Sequence, residues 1–327
     1  MVHDRHSERL AAYLHDQWTL LLPAALVLGV AGLIPPFALF PVRAPAMLET
    51  HLLEELFSIV VSVLVAAVAW YEFEQNTSRD SGVMVGGFVA VALVDLCHAL
   101  TYDGMPRLII ENSTHRAVFF WQVGRSLAAL TLLPIALGWR SGASRTGWLI
   151  GGIAAAGVSF AVGTWWIDAV PPLYVPGSGL TAVKRGWEYA LVAIDALTAL
   201  LFILRPPPDR PQAQVYLFAS SCIIMAMGEL VFSHYQVPSD FLNTFGHIYK
   251  VVAYALLYQA LFVHAIRAPY ARLRYSEERF RVLTELSSDW FWKIDPELRF
   301  IEVSGGVAAV TARPMLGRRL AWAGWPA

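Results

Sequence analysis

Three histidines, His51, His98 and His247, lie in or next to apolar stretches long enough to cross a membrane. Ionisable side chains are costly inside a membrane and persist where they face a protein interior and have partners. Neutral imidazoles together with carboxylates can bind Zn or Cu, whereas two of the histidines can instead be the axial ligands of a haem b held between helices. A third hypothesis is a pocket of mixed charge for a small organic or anionic ligand. The residue types alone leave these three hypotheses open.

Acidic and basic residues accompany the histidines. Glu54 and Glu55 follow His51 by three and four positions, so the three share one face of a helix, and Asp95 precedes His98 by three. If successive helices run in opposite directions, these positions all fall in the outer leaflet. A network of purely structural ion pairs is the alternative to a binding site. The expected ligand-binding residues are His51, Glu54, Glu55, Asp95, His98, Arg125, Lys184, Glu188, Glu229, His247 and Lys250, and the metal-ligand candidates among them are His51, His98 and His247.

The composition places these residues in a membrane protein. Of the 327 residues, 57% are hydrophobic and 15% are charged, and the mean hydropathy is +0.51, which leaves too little polar surface for a soluble domain. The net charge of -1 gives no basic excess, so no nucleic-acid partner is expected. Cys97 and Cys222 lie in separate apolar stretches without a CxxC motif, which argues against a disulfide framework or a zinc finger.

Apolar stretches of about 20 residues, the length that crosses the hydrocarbon core, recur along the chain. Each is predicted to be a helix, because lipid offers no partners for backbone polar groups. The expected fold is an all-α polytopic membrane bundle of about eight transmembrane helices, followed by a helical linker and a truncated α/β segment. The predicted spans are 18–34, 52–71, 82–100, 117–139, 147–167, 187–204, 215–232 and 251–266.

Charge in the loops predicts the orientation. Lys and Arg are more frequent in the loops on the side that holds both termini, so both termini are expected in the cytoplasm of a multi-pass inner-membrane protein. Four segments are expected: an N-terminal cytoplasmic tail (1–17), a transmembrane domain (18–268), a linker helix (269–286) and the incomplete start of an α/β domain (287–327). The charged linker helix is expected to pair with a second copy in a homodimer; a solvated linker helix without a partner is the alternative.

Sequence motifs and repeats distinguish an enzyme, a transporter and a sensor. The sequence has no GxGxxG, GxxxxGK[ST], HExxH or GxSxG motif, so no enzyme activity is expected within this chain. Internal repeats or broken spans in matching halves, which are typical of transporters, are not found. A small-molecule or ion transporter that uses the same polar residues remains an alternative. An outer polar pocket, a bundle and a helix that leads into the cytoplasm favour a sensor in the membrane.

Six blocks carry a resemblance to a known family. They are ETHLLEELFSIV (49–60), VDLCHALTYDGM (94–105), WQVGRSLAALTLL (121–133), LTAVKRGWEYALV (180–192), GELVFSHY (228–235) and FGHIYKVVAYALLYQALFVHAIRAPY (245–270). In this order they resemble the bacterial membrane-associated sensor domain of the third type, over roughly residues 18–270. The following SSDWFWKIDPELRFIEVSGG (287–306) resembles the opening strands of a PAS domain.

The resemblance implies a receptor module whose ligand is unknown. In this family the membrane part precedes cytoplasmic PAS modules, histidine kinases of two-component systems or diguanylate cyclases, so an output enzyme is expected beyond residue 327. The PAS segment here is incomplete, and which output module follows is left open. The family's characteristic polar positions correspond to His51, Glu55, Asp95, His98, Arg125, Lys184, Glu188, Glu229, His247 and Lys250.

Overall fold

A computed structural model describes residues 2–35, 37–39, 45–75, 81–107, 109, 111–208, 210–262, 268–286 and 292–303. The chain divides into two units, residues 1–265 and 266–327. The described part of the first unit is built from the helices α1 (Val2–Leu33), α2 (Pro45–Gln75), α3 (Ser81–Thr101), α4 (Thr114–Ala136), α5 (Arg145–Trp165), α6 (Ala182–Leu204), α7 (Gln212–Phe232) and α8 (Phe241–Phe262).

Among the described residues, the seven helices α1 to α7 are long and apolar enough to cross a membrane. They extend beyond most of the predicted apolar stretches, because a helix continues into the polar boundary once its backbone bonds have formed. Helix α8 has a similar length but is not among these seven helices. It begins ten residues before the span predicted at 251–266, and its role as an eighth span stays a prediction.

The N-terminal segment 1–17, predicted as a cytoplasmic tail, is helical over its described residues. Residues 2–17 are helical and continue directly into the first span as part of α1. Tyr13 is buried, and its hydroxyl lies 2.9 Å from Ser220 Oγ on α7. This contact joins the first part of α1 to α7.

Helix α3 lies at the centre of one side of the bundle, against α2, α4 and α5. Helix α7 packs between α6 and α8, while α8 also contacts α2 and α4 contacts α6, which closes the bundle. Helices α3 and α5 approach closely at Gly86 and Gly152, where a Cβ on Gly152 would lie 2.2 Å from the Gly86 carbonyl oxygen. Small residues permit such contacts in membranes, where packing rather than hydrophobicity drives helix association.

The connection between α5 and α6 contains structure that the sequence did not predict. A short 3-10 helix (Ile167–Ala169) precedes the antiparallel strands β1 (Tyr174–Val175) and β2 (Gly179–Leu180). Gly177 and Gly179 have positive φ angles of 81° and 78°, a backbone conformation that glycine adopts without strain. Strands of two residues are too short to give an alternating sequence pattern.

The second unit contains α9 (Ala268–Leu286) and the antiparallel strands β3 (Trp292–Ile294) and β4 (Phe300–Val303). Helix α9 covers the segment predicted as a linker, and the two strands lie in the segment that resembles the opening of a PAS domain. The turn between the strands is closed by the Arg299 backbone amide, which donates to Asp295 Oδ1 at 2.8 Å. Residues 304–327, which hold the rest of the predicted PAS start, lie outside the described residues.

Candidate functional site

Helix α2 presents one buried polar stripe to the bundle. His51, Glu55, Ser58 and Ser62 are buried, and their spacings of four, three and four residues place them on one face. The large apolar side chains between them, such as Leu53, are exposed on the opposite face. A helix in lipid exposes its apolar residues and directs its polar ones inward.

Glu54 lies at the edge of this stripe. It is half-buried, whereas Glu55 is fully buried. The sequence predicted both residues as ligand-binding, since both are within one turn of His51. Only Glu55 makes direct contacts with the other candidates among the described residues, so the geometry separates two neighbours that the sequence treated alike.

Three imidazoles from three helices meet around the Glu55 carboxylate. His51 Nε2 lies 3.2 Å from His98 Nε2, and His98 Nε2 lies 4.0 Å from Glu55 Oε1. His247 Nδ1 approaches the same carboxylate oxygen at 3.0 Å. All four side chains are buried, and one ligand atom from each lies within 4.8 Å of those from the others. The three histidines that the sequence named as metal-ligand candidates are thus neighbours.

The orientation of His98 is fixed by the backbone of α4. His98 Nδ1 lies 2.7 Å from the Ala117 carbonyl oxygen. A carbonyl oxygen only accepts hydrogen bonds, so Nδ1 carries the proton and donates it. In the neutral imidazole, Nε2 then has a free lone pair directed at His51. The His51 ring is held in turn by stacking on Tyr102, with ring centroids 4.0 Å apart.

A chain of alternating charges extends from this cluster. Lys250 Nζ lies 2.7 Å from Glu55 Oε2 and 3.0 Å from Asp95 Oδ2. Asp95 also accepts hydrogen bonds from Arg125 Nη2, at 3.0 and 3.2 Å. The Trp121 ring contacts both cations, 4.8 Å from Lys250 Nζ and 5.0 Å from Arg125 Cζ. Each buried ion needs a partner of opposite charge, because removing it from water costs roughly several kcal/mol.

The remaining predicted residues lie beside this chain. Lys184 forms an ion pair with Glu188 one turn later on α6, and its ammonium lies 5.9 Å from the centre of the Phe232 ring. Glu229, near the end of α7, is buried within electrostatic range of Arg125 and Lys184. Among the described residues, no hydrogen-bond partner is found for Glu229 Oε2. An uncompensated buried carboxylate oxygen marks a place where a proton, water or cation belongs.

Two buried polar residues of this region were missed by the sequence analysis. Asp195 is buried on α6, seven residues after Glu188 and so on the same helix face. Gln122 is buried on α4, one turn before Arg125. Within the described part of the chain, Asp195 Oδ1 and both amide atoms of Gln122 find no hydrogen-bond partner. The sequence feature that could have indicated Asp195 and Gln122 is their helical spacing from Glu188 and Arg125.

Two cavities adjoin the polar residues. One, of about 20 Å³, is bordered by His98, His247, Lys184 and Tyr235, among others, and this volume holds about one water molecule. The other, of about 520 Å³, lies beyond Tyr235 against Arg185, and is also lined by Tyr189, Ser233, His234 and Gln236. Since pockets for organic ligands measure roughly 300–1,000 Å³, only the second has the size for such a molecule. Tyr235 contributes to both cavities.

The donor set fits a metal ion better than a haem. Axial histidines place their nitrogens about 4 Å apart with the macrocycle between them, whereas His51 Nε2 and His98 Nε2 are 3.2 Å apart. The rings of Trp121 and Phe232 pack directly on His247, with centroids 4.9 and 5.2 Å away. These contacts occupy the space that a macrocycle would need. Three imidazoles and one carboxylate are a donor set that Zn and other first-row metals accept.

Comparison with known proteins gives a family for this chain. The model of the MASE3 family, described as a membrane-associated sensor domain, matches residues 42–269. This range contains all of α2 to α8 and all of the predicted ligand-binding residues. No curated protein and no solved structure matches the chain at a significant level.

Proposed function

This chain belongs to the MASE3 family of membrane-associated sensor domains, and from this premise we propose that it is the sensory module of a bacterial signal-transduction protein. The proposed detection site is the polar chamber, defined here as His51, Glu55, Asp95, His98, Arg125, Lys184, Glu188, Glu229, His247 and Lys250. Glu54, at its edge, is proposed to contribute charge rather than a direct contact.

One observation carries this proposal. Helix α8 supplies His247 and Lys250, which contact Glu55 on α2 and Asp95 on α3. The packing of α8 against its neighbours therefore depends on ionic contacts that a ligand can rearrange. Because α8 is followed in the chain by α9, a change in α8 is positioned to alter the segment that leads to the output module.

The energetic requirement is a difference in affinity. A ligand shifts an equilibrium between two packings of α8 only if it binds one packing more tightly. Coupling free energies of about 1–3 kcal/mol, equal to roughly 5–150-fold in affinity, are typical. Replacement of one buried ionic contact by another is on this scale, so a single changed contact at Glu55 is sufficient.

The proposal extends to the orientation in the membrane, the domains that follow and the oligomer. The module lies in the inner membrane with both termini in the cytoplasm and the polar chamber towards the outer leaflet. Residues 287–327 begin a PAS domain, and a histidine kinase or diguanylate cyclase provides the output. The chain acts as a homodimer through α9, whose Leu273, Phe280 and Leu283 side chains are exposed in the single chain at the seven- and three-residue spacing of a coiled coil.

The test uses the full-length protein in its own cells, with kinase phosphorylation or cyclic dinucleotide level as the readout. We expect His98→Ala and His247→Ala to abolish the changes in output that growth conditions cause in the wild type. The matched control is Ile248→Ala, next to His247 in sequence but 47% exposed, which should respond normally. Equal amounts in the membrane fraction show that insertion is intact. Normal signalling by both histidine variants would make the chamber structural.

A further inference from the structure

We infer that His51, Glu55, His98 and His247 bind one divalent transition-metal ion, Zn²⁺ or a neighbour such as Co²⁺, Ni²⁺ or Cu²⁺, and that this ion displaces the Lys250 ammonium from Glu55. The inference that a metal binds does not depend on the proposed sensory function. Its action as the signal rests on the proposed sensory function.

The donor spacing is the first argument. Two ligand atoms that each lie about 2.0–2.1 Å from a tetrahedral metal are about 3.3 Å apart. The Nε2 atoms of His51 and His98 are 3.2 Å apart, and Glu55 Oε1 lies 3.0 Å from His247 Nδ1 and 4.0 Å from His98 Nε2. Small side-chain adjustments bring all four atoms to coordination distance.

The orientation of the rings is the second argument. A metal-bound histidine usually donates its other ring N–H to a carbonyl or carboxylate, which fixes the free lone pair towards the metal. His98 has this arrangement, because Nδ1 donates to the Ala117 carbonyl oxygen and Nε2 faces His51. The space between the two Nε2 atoms takes either a shared proton or a metal ion, since two lone pairs at this distance repel.

The charge balance is the third argument. The described part of the chamber and its surroundings contains the buried carboxylates of Glu55, Asp95, Glu188, Asp195 and Glu229 but only three buried cations, Arg125, Lys184 and Lys250. A divalent ion offsets an excess of carboxylates that burial makes costly. The oxygens of Glu229 and Asp195 that have no partner in the described residues fit this excess.

Lys250 gives the site a built-in competitor. Its ammonium contacts both oxygens of Glu55, at 2.9 and 2.7 Å, and a metal on Glu55 Oε1 would repel it. Asp95 Oδ2 already lies 3.0 Å from the same ammonium, so Lys250 can leave Glu55 and remain paired. Metal binding thus replaces the contact of Lys250 with Glu55 by coordination that joins His247 on α8 to Glu55 on α2, and it leaves Lys250 paired with Asp95 alone. This exchange is the change in α8 packing that the sensory function requires.

A route for the ion is also present. The cavity of about 520 Å³ reaches Tyr235, and on its other side Tyr235 borders the cavity of about 20 Å³ that touches His98 and His247. The smaller cavity has room for one water molecule, which can complete the coordination of an ion bound to these histidines. Movement of the Tyr235 side chain would bring the two cavities into contact.

The experiment measures metal binding to the full chain in nanodiscs, purified without a histidine tag, with His3→Ala, His6→Ala and His15→Ala present throughout to remove the N-terminal histidines. Metal is removed with a chelator, and ZnCl₂ and CoCl₂ are titrated by calorimetry and by absorbance. We expect one ion per chain, a higher unfolding temperature on binding, and the visible absorption bands of tetrahedral Co²⁺.

Variants then assign the ligands. His98→Asn and His247→Asn should weaken binding by at least about 10–100-fold, the loss already seen when only an outer partner of a ligand is removed. His234→Asn changes an exposed histidine outside the donor set and should bind as the wild type. Lys250→Met should bind more tightly, because the competing ammonium is gone. Wild-type binding by both histidine variants, or no binding by the unmodified chamber, overturns the inference.

The outcomes separate this inference from the sensory proposal. If one ion binds but His98→Ala and His247→Ala signal normally, the metal site stands and the sensory role of the chamber fails. If no ion binds and these variants lose the response, the chamber detects another ligand and the metal inference fails.

Discussion

Lys250 on α8 places its ammonium 2.7 Å from Glu55 Oε2 on α2, and the two residues are 195 positions apart in the chain. Both side chains are fully buried. This ion pair connects α8, which precedes α9 in the chain, to α2, which carries His51. The contribution of this ion pair to the free energy of unfolding therefore measures how much the polar chamber stabilises the bundle.

The energies of removing Glu55 and Lys250 should not be additive. Lys250→Met leaves the buried Glu55 carboxylate without its ammonium partner, which costs about 3–5 kcal/mol, whereas Glu55→Gln leaves Lys250 paired with Asp95 and should cost less. The double variant should lose clearly less free energy of unfolding than the two single losses added together. Denaturant unfolding in detergent micelles measures all three.

The control for this cycle is a surface ion pair of the same chain. Arg107 and Glu111 are 3.5 Å apart but largely exposed, so Arg107→Ala should cost at most about 1 kcal/mol. Additive effects of the Glu55 and Lys250 substitutions would show that the two residues do not interact in the folded protein.

Two adjacent glycines on α5 should respond in opposite ways to the same substitution. A Cβ on Gly152 would lie 2.2 Å from the Gly86 carbonyl oxygen, whereas nothing lies within 4 Å of one on Gly151. Gly152→Ala should destabilise the protein by about 1–3 kcal/mol, because α5 must move away from α3. Gly151→Ala should be neutral or stabilising by up to about 1 kcal/mol, because alanine favours the helix. Thermal unfolding of the two variants in one detergent provides the comparison, and equal stabilities would contradict the packing of α3 on α5.

Tyr235 should make stability fall at high pH. Burial raises the pKa of Tyr235 above its ordinary value, which is about 10. Above pH 10 the unfolded chain loses this proton while the folded protein keeps it, so the unfolded state binds fewer protons and the free energy of unfolding decreases as pH rises. The contribution is fully present below pH 10.

The check is the slope of stability against pH between about 9 and 11. Tyr235→Phe should make this slope less steep, because phenylalanine has no proton to lose. Tyr189→Phe, at a tyrosine that is 48% exposed, should leave the slope unchanged. A Tyr235→Phe slope equal to that of the wild type would mean that this hydroxyl reaches solvent.

The proposed dimer predicts which positions of α9 cross-link between chains. Leu273 is 66% exposed in the single chain and shares its heptad position with Phe280 seven residues later. Leu273→Cys should form a disulfide-linked dimer under mild oxidation in native membranes, whereas Glu278→Cys, on the opposite side of the helix, should not. Gel mobility without reductant measures both. Equal cross-linking at the two positions would indicate random encounter rather than a specific helix pair.

Much of the architecture could be predicted from the sequence. Runs of about 20 apolar residues predict membrane helices because nothing else satisfies the backbone in lipid, and α2 to α7 contain most of each predicted run. The sequence did not predict the conformation of residues 2–17, because they lack an apolar run, nor the contact of Tyr13 with Ser220 on α7. The β1–β2 hairpin was missed because its strands have only two residues each.

For the site, the sequence by itself determined which side chains share a helix face and that their charges are too costly for lipid. Only the tertiary structure decided that Glu55 rather than Glu54 meets the three histidines, that Lys250 lies between Glu55 and Asp95, and that Asp195 is buried within electrostatic range of Arg125 and Glu229. The physical reason is that helical periodicity fixes direction around one helix axis. The rotation of each helix and its height against a partner far away in the chain are set by packing, to within the fraction of an ångström on which ion pairs and metal ligands depend.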